Sequence, residues 1–203
     1  VGIVAVLLIE AAGFFLVVSP VEFLTGTRWT PLFQPQHFGV LPLIAGSALG
    51  FVIGVLRSSR IRVLHQLLGL YIHVLRGTPF LVQLYVFYFV LPSSGVAWLE
   101  WDSDTAAFVS LSVYTSSYVA EIVMGAIQAV PRGQTEGAMT LGLKPLQILR
   151  LVVLPQAMRL IVQPMSGVYV MLIKSTAILS VVGITELTRQ GEVFMITYPS
   201  KSL

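Results

Sequence analysis

Long apolar runs, separated by short charged or proline-rich breaks, make up most of this chain. Residues 1–18 are apolar apart from Glu10 and read as a partial span. Residues 19–37 read as a loop, because Pro20, Pro31 and Pro35 forbid a continuous helix, while Trp29, Phe33 and Phe38 suit a membrane interface. Residues 38–56, FGVLPLIAGSALGFVIGVL, carry no charge over 19 positions. At about 1.5 Å per residue that length crosses a hydrocarbon core. Gly46, Ser47, Ala48, Gly50 and Gly54 give this run small-residue spacing, which favours close contact with another helix.

The next apolar run, 63–91, is 29 residues long, too long for one straight span. Its centre, Arg76-Gly77-Thr78-Pro79, predicts a break or kink, since Pro79 has no N–H to give the carbonyl of Leu75. Residues 92–104 are polar and acidic. Residues 105–130 read as a span that buries Glu121, and 151–182 as another, interrupted by Pro155 and Pro164. Between them, 131–150 predicts two short helices. Pro131 starts the first, Gln134 to Leu141 supplies helix formers, and Gly142 is placed to end it in the left-handed conformation. Pro145 starts the second, and Leu154-Pro155 sets the angle at which the next span begins. Residues 183–203 are mixed and have too little apolar length to cross. The expected fold is an all-α integral membrane protein of about five transmembrane helices, with 1–37 as a partial span and external loop and 38–203 as the transmembrane domain.

Composition supports this picture. The chain is 56% hydrophobic and 10% charged, with a mean hydropathy of +0.87. Soluble domains carry about a quarter charged residues, so this one cannot cover an aqueous surface. It starts inside an apolar run without Met, as expected of a fragment or processed chain, and that run lacks the basic segment of a signal peptide.

Charge placement gives the orientation. The loops at 57–62 and 131–150 hold Arg57, Arg60, Arg62, Arg132, Lys144 and Arg150 against a single acid, Glu136. The loop at 92–104 holds Glu100, Asp102 and Asp104 and no base. By the positive-inside tendency the first two loops face the cytoplasm, and the spans then alternate consistently. Dispersed Arg and Lys argue against a nucleic-acid patch.

Catalytic chemistry finds little support. There is no Cys, no HExxH, no G-x-S-x-G and no Gly-Lys dipeptide, hence no P-loop. His65 and His73 stand about two turns apart on one helix, too distant to share a metal. A membrane enzyme is therefore improbable on these grounds, and a passive channel leaves the patterned loop at 131–150 unexplained.

Ionisable groups within spans are costly and mark function by default. Arg76 stands about 21 Å beyond Arg62 along a straight helix, deep in the membrane. A broken helix there exposes backbone groups that can bind a zwitterion or anion. Arg76 can take a carboxylate, with Thr78 and Gln83 adding hydrogen bonds. Alternatively, Arg76 pairs with Glu121 to hold two spans together. Glu121 can pair with Arg76, with Arg159 or with a substrate amino group. The helices of the loop are too short to be stable alone in water. They rest either on lipid headgroups or in the groove of a partner.

The spacing Glu136-x-Ala138-x3-Gly142-x9-Val152-x-Leu154-Pro155 resembles the EAA loop of permease subunits of bacterial ATP-binding-cassette importers, whose pattern reads E-A-A, three residues, G, nine residues, I-x-L-P. Two positions depart: Gly137 replaces Ala and Val152 replaces Ile. Gly for Ala lowers helix propensity by about 1 kcal/mol. LRGTPFLVQLYVFYFVLP (75–92), YVAEIVMGAIQAVPRGQTEGA (118–138), LPQAMRLIVQP (154–164) and LIKSTAILSVVGITEL (172–187) resemble the polar amino-acid uptake branch. Residues 19–47 resemble phosphate-uptake permeases of the same superfamily instead, which leaves a phosphate importer as the alternative.

The resemblance implies an importer permease fold in the bacterial inner membrane, paired with a second permease subunit as a homo- or heterodimer. It implies two cytoplasmic ATPase subunits, which bind the ATP and Mg that this chain does not, and a periplasmic substrate-binding protein. The coupling residues it implies are Gln134, Glu136, Gly137, Ala138, Gly142, Leu154 and Pro155. It marks Lys174-Ser175-Thr176 as a signature near the translocation path, and these join Arg76, Thr78, Gln83 and Glu121 as candidate pathway residues. It also implies that the family's last span, expected after about residue 190, is largely missing.

Overall fold

The computed structural model describes residues 12, 14–16, 18–27, 29–30, 37–59 and 61–175. The segment expected to be loop contains a short helix, α1 (Pro20–Thr25), and a two-residue antiparallel ladder, β1 (Trp29–Thr30) with β2 (His37–Phe38). Pro20 opens α1 because the first helical position has no use for an N–H. The expected first span, 1–18, lies almost wholly outside the described residues, as does everything from 176 onward.

Helix α2 (Leu41–Arg57) is apolar and 17 residues long. Helix α3 (Arg62–Gly77) and helix α4 (Phe80–Tyr85, continued by a π turn at Val86–Val90) form a pair bent by 105°. Helix α5 (Ser103–Ala129) is capped by Asp102, whose carboxylate accepts the N–H of Thr105 at 3.2 Å. Helix α6 (Arg132–Thr140) follows, then α7 (Pro145–Ile148), a π turn (Leu149–Val153) and α8 (Leu154–Ser175). Among the described residues, 104–129 and 145–172 are long and apolar enough to cross a membrane, and the bent pair makes a third crossing if it acts as one span.

The best-defined contact is a seam between α2 and α5. Gly46, Gly50 and Gly54 lie against the backbone of α5 so closely that a Cβ on them would come within 2.6, 2.6 and 2.7 Å of the carbonyl oxygens of Ser112, Ser116 and Ala120. No side chain fits in that space, so the glycines let two helical backbones touch, as the small-residue spacing predicts. The paired numbers rise together in steps of four, so α2 and α5 run parallel. Helix α8 runs the other way. Ala157 and Ile161 cluster with Val123 and Ala126 at one end of α5, while Leu172 joins Leu111 and Ala107 at the other. Helix α4 is likewise antiparallel to α5, with Phe80 on Tyr114 (4.8 Å between ring centroids) and Phe87 on Trp101 (6.1 Å). These directions agree with the alternation expected from the charged loops.

One expectation about proline needs correcting: Pro155 and Pro164 do not interrupt the last crossing, which is continuous over Pro145–Leu172. At Pro155 a π turn explains why. Leu154 donates to Leu149 and Leu91 donates to Val86, each five residues back, and each is followed by a proline, Pro155 or Pro92. A proline ring collides with the carbonyl four residues earlier in a regular α-helix. Widening the turn ahead of it moves that carbonyl aside.

Candidate functional site

The loop between α5 and α8 is a built surface. Helix α6 ends at a left-handed glycine, Gly142 (φ 75°), as predicted. The N–H of Gly142 donates to Met139 and that of Leu143 to Ala138, at 2.9 and 3.3 Å, which satisfies two carbonyls at the helix end. Ala138 is 5% exposed and packs in one cluster with Val130, Ile148, Val153 and Ala157, so α6 is fastened to the base of α5 and α8. Gln134 is linked to this base as well, accepting from Gln156 Nε2 at 3.3 Å. Lys144 and Gln147 start the second helix, the Lys144 N–H donating to Gln147 Oε1 at 2.8 Å.

The other face is open. Glu136, Gly137 and Met139 are exposed, Leu141 is 81% exposed and Leu146 is 74% exposed. Two large aliphatic side chains held outward on capped, anchored turns form a knob suited to a complementary groove. Gly137 lies on this open side, where a Cβ would meet nothing within 4 Å. Leu154 and Pro155 sit away from the knob, in the first turn of α8 beyond the π turn.

A second constellation lies between the spans. Glu121 Oε2 accepts from Arg57 Nη1 at 2.8 Å and lies 3.6 Å from Arg76 Nη1. The Arg76 guanidinium also stands over the Tyr118 ring, 5.2 Å from its centroid. Of the alternatives open for Arg76 and Glu121, the pair between helices is the arrangement seen. Arg57 is the more enclosed of the two cations, its side chain 17% exposed against 42% for Arg76. It lies along α3, where even a Cβ on Gly69 would be 3.5 Å from Nη2.

Helix α3 is continuous from Arg62 to Gly77, so the straight-helix spacing between Arg62 and Arg76 holds, and Arg76 shares the Glu121 carboxylate with Arg57 at the end of α2. Glu121 itself stands a little over two turns, about 12 Å, before the end of α5.

At the corner, Thr78 Oγ1 and Gln83 Nε2 are engaged with one another and with the backbone. Thr78 Oγ1 donates to the carbonyl of Val74 at 2.8 Å. Gln83 Nε2 donates to the carbonyl of Leu75 at 2.6 Å, to Thr78 Oγ1 at 2.8 Å and to the carbonyl of Thr78 at 3.1 Å. Lys174 and Ser175 fall in the last turn of α8, and Thr176 lies outside the described residues.

Arg57 is the residue that sequence reasoning missed as a site member; it counted only as a loop charge. The signal was present: Arg57 follows Gly46, Gly50 and Gly54 at the next helical step of three, so it continues the face that meets α5.

The family described as "Binding-protein-dependent transport system inner membrane component" matches residues 46–196. The glutamine transport system permease protein of Escherichia coli (strain K12) is 35% identical over 153 residues, 75% of this chain and 69% of that one. The L-cystine transport system permease protein of Bacillus subtilis (strain 168) is 33% identical over 153 residues, 75% of this chain and 64% of that one. A crystal structure of an amino acid ABC transporter with histidines is similar with a TM-score of 0.69 and 38% identity, over 78% of this chain and 73% of that one. An inward-facing methionine ABC transporter shares the fold, with a TM-score of 0.61 and 23% identity over 78% of this chain and 76% of that one.

Proposed function

The chain belongs to the family of binding-protein-dependent transport system inner membrane components, and on that premise we propose that it is the permease subunit of an ATP-driven importer that moves polar amino acids across a bacterial inner membrane. The observation that carries this reading is the anchored loop at 131–150. One face is locked to α5 and α8 through Ala138 and the other presents Leu141 and Leu146 to a partner. A separate ATPase binds ATP and Mg and grips this knob. Its closure displaces α6, and the displacement passes through the Ala138 cluster to the feet of two crossings at once. Two permease subunits, each on one ATPase subunit, then rock between inward-open and outward-open states. A periplasmic binding protein delivers substrate to the opposite side, near 92–104.

The orientation rests on the cluster of Arg57, Arg60, Arg62, Arg132, Lys144 and Arg150 at one side and the acidic loop with Glu100, Asp102 and Asp104 at the other. Polar amino acids are favoured as substrate because the aligned relatives named above carry glutamine and L-cystine and align across most of the chain. Phosphate has only the local resemblance of residues 19–47 in its favour. Arg76, partly exposed beside Tyr118, is the cation best placed to receive a substrate carboxylate when its loose contact with Glu121 opens.

The test is uptake into proteoliposomes holding the whole complex, with labelled glutamine, histidine, arginine, glutamate, cystine and phosphate supplied one at a time. ATP-dependent accumulation of an amino acid is expected. Accumulation of phosphate alone, or flux that ignores ATP, overturns the proposal.

A further inference from the structure

We propose that Gln83 is a positioning residue for transport, a side-chain clasp that sets the corner between α3 and α4 and thereby the place of Arg76; the role in transport rests on the importer reading above. The need for a clasp arises in the sequence. Pro79 cannot donate to the carbonyl of Leu75, so breaking the helix here leaves an acceptor without its usual partner. Thr78 leaves the helical conformation (φ −108°, ψ 139°) and Pro79 follows with ψ 140°, which turns the chain before α4 begins.

Gln83 answers this from the far side of the corner. It lies one turn into α4, yet its amide reaches back to Leu75 and Thr78. One amide group thus joins both arms of the 105° bend. It is only 6% exposed, so water does not compete for these bonds. Leu75 directly precedes Arg76, so whatever fixes the Leu75 carbonyl fixes the root of the side chain that meets Glu121 and Tyr118.

The clasp is a single rotatable side chain, so it can both hold the corner and let go of it. Gln83 therefore acts through the backbone on Arg76 and has no need to touch substrate.

The chain has no Cys, so two labels can be placed in it at chosen positions. Leu70→Cys on α3 and Val90→Cys beyond α4 are both more than half exposed, and nitroxides on them read the corner as a distance in the purified complex. With Gln83 present a narrow distance distribution is expected. Gln83→Leu and Gln83→Met, which fill similar space but cannot donate, should broaden it and shift it to longer values. In glutamine uptake by the reconstituted complex both variants should lower the maximal rate about tenfold and leave KM within about twofold. An unchanged distance distribution in either variant, in protein that still melts cooperatively, overturns the clasp. So does a severalfold rise in KM with the corner unmoved, which marks direct substrate contact. If the wild-type complex moves no amino acid, the importer reading fails, while the distance measurement still decides whether Gln83 holds the corner.

Discussion

The seam between α2 and α5 and the corner between α3 and α4 solve opposite problems with opposite means. At the seam, three glycines remove side chains so that backbones touch over their length. Little there can swing, because the glycines meet backbone carbonyls and the β-branched side chains of Thr115, Val119 and Val123. At the corner, a long polar side chain spans a gap that a proline created, and a charge pair at 3.6 Å sits next to it. The contact is made of rotatable groups. A membrane machine needs both: a rigid element that carries displacement and a joint that yields to it. The contrast places the first at α2–α5 and the second at residues 75–83.

Breaking the seam should produce the largest effect. Gly50→Leu forces a side chain into the carbonyl of Ser116 and the Cβ of Val119, where even a Cβ would be 2.6 and 2.7 Å away. Loss of the folded protein from detergent extracts is expected. Gly50→Ala should cost about 1–3 kcal/mol, the usual range for overpacking, read from unfolding by titration with a denaturing detergent. If Gly50→Ala leaves stability unchanged, the helices are not in backbone contact.

The next effect in size tests the charges that join the two regions. Glu121→Gln leaves Arg57 and Arg76 facing each other without a counter-charge. Glu121 is close to half exposed, so the cost should fall between the surface and the buried range, about 1–2 kcal/mol. Adding Arg57→Leu should recover part of it, whereas additive losses in the double variant would show that the two residues are not coupled.

The smallest effect sharpens the contrast from the side of the loop. Gly137 departs from the Ala of the family pattern, and nothing in the structure requires a glycine there. Gly137→Ala should stabilise α6 by about 1 kcal/mol. A destabilised variant would mean that position 137 is packed rather than open.

Much of this was legible in the chain. The glycine spacing in 38–56 specifies a close helix contact, because only that use explains small residues at every fourth position in a lipid-soluble segment. Gly142 specifies a left-handed helix end, and Pro79 a break. What could not be read was how each break resolves. Proline says that a hydrogen bond is missing but not what replaces it. At Pro79 the replacement is a side chain and a sharp corner; at Pro155 it is a wide turn and an unbroken helix, and at Pro92 a wide turn that leads into a short 3-10 helix. Arg57 was hidden for a related reason: loop position describes its backbone, while its side chain reaches back between helices to Glu121. The segments around Glu10 and from Thr176 onward lie outside the described residues, and most of the expected first span with them.

The central claim is that the loop at 131–150 receives force from a separate ATPase through its exposed aliphatic knob. The most direct measurement is the ATP hydrolysis that copurifies with the tagged chain from its own membranes, compared between the wild type and the double variant Leu141→Glu, Leu146→Glu. Both residues are exposed and outside the core cluster, so the variant should fold and melt as the wild type does. The account predicts that the copurifying ATPase is lost while the chain remains intact in the membrane. Retention of full ATPase activity by the folded double variant would contradict it.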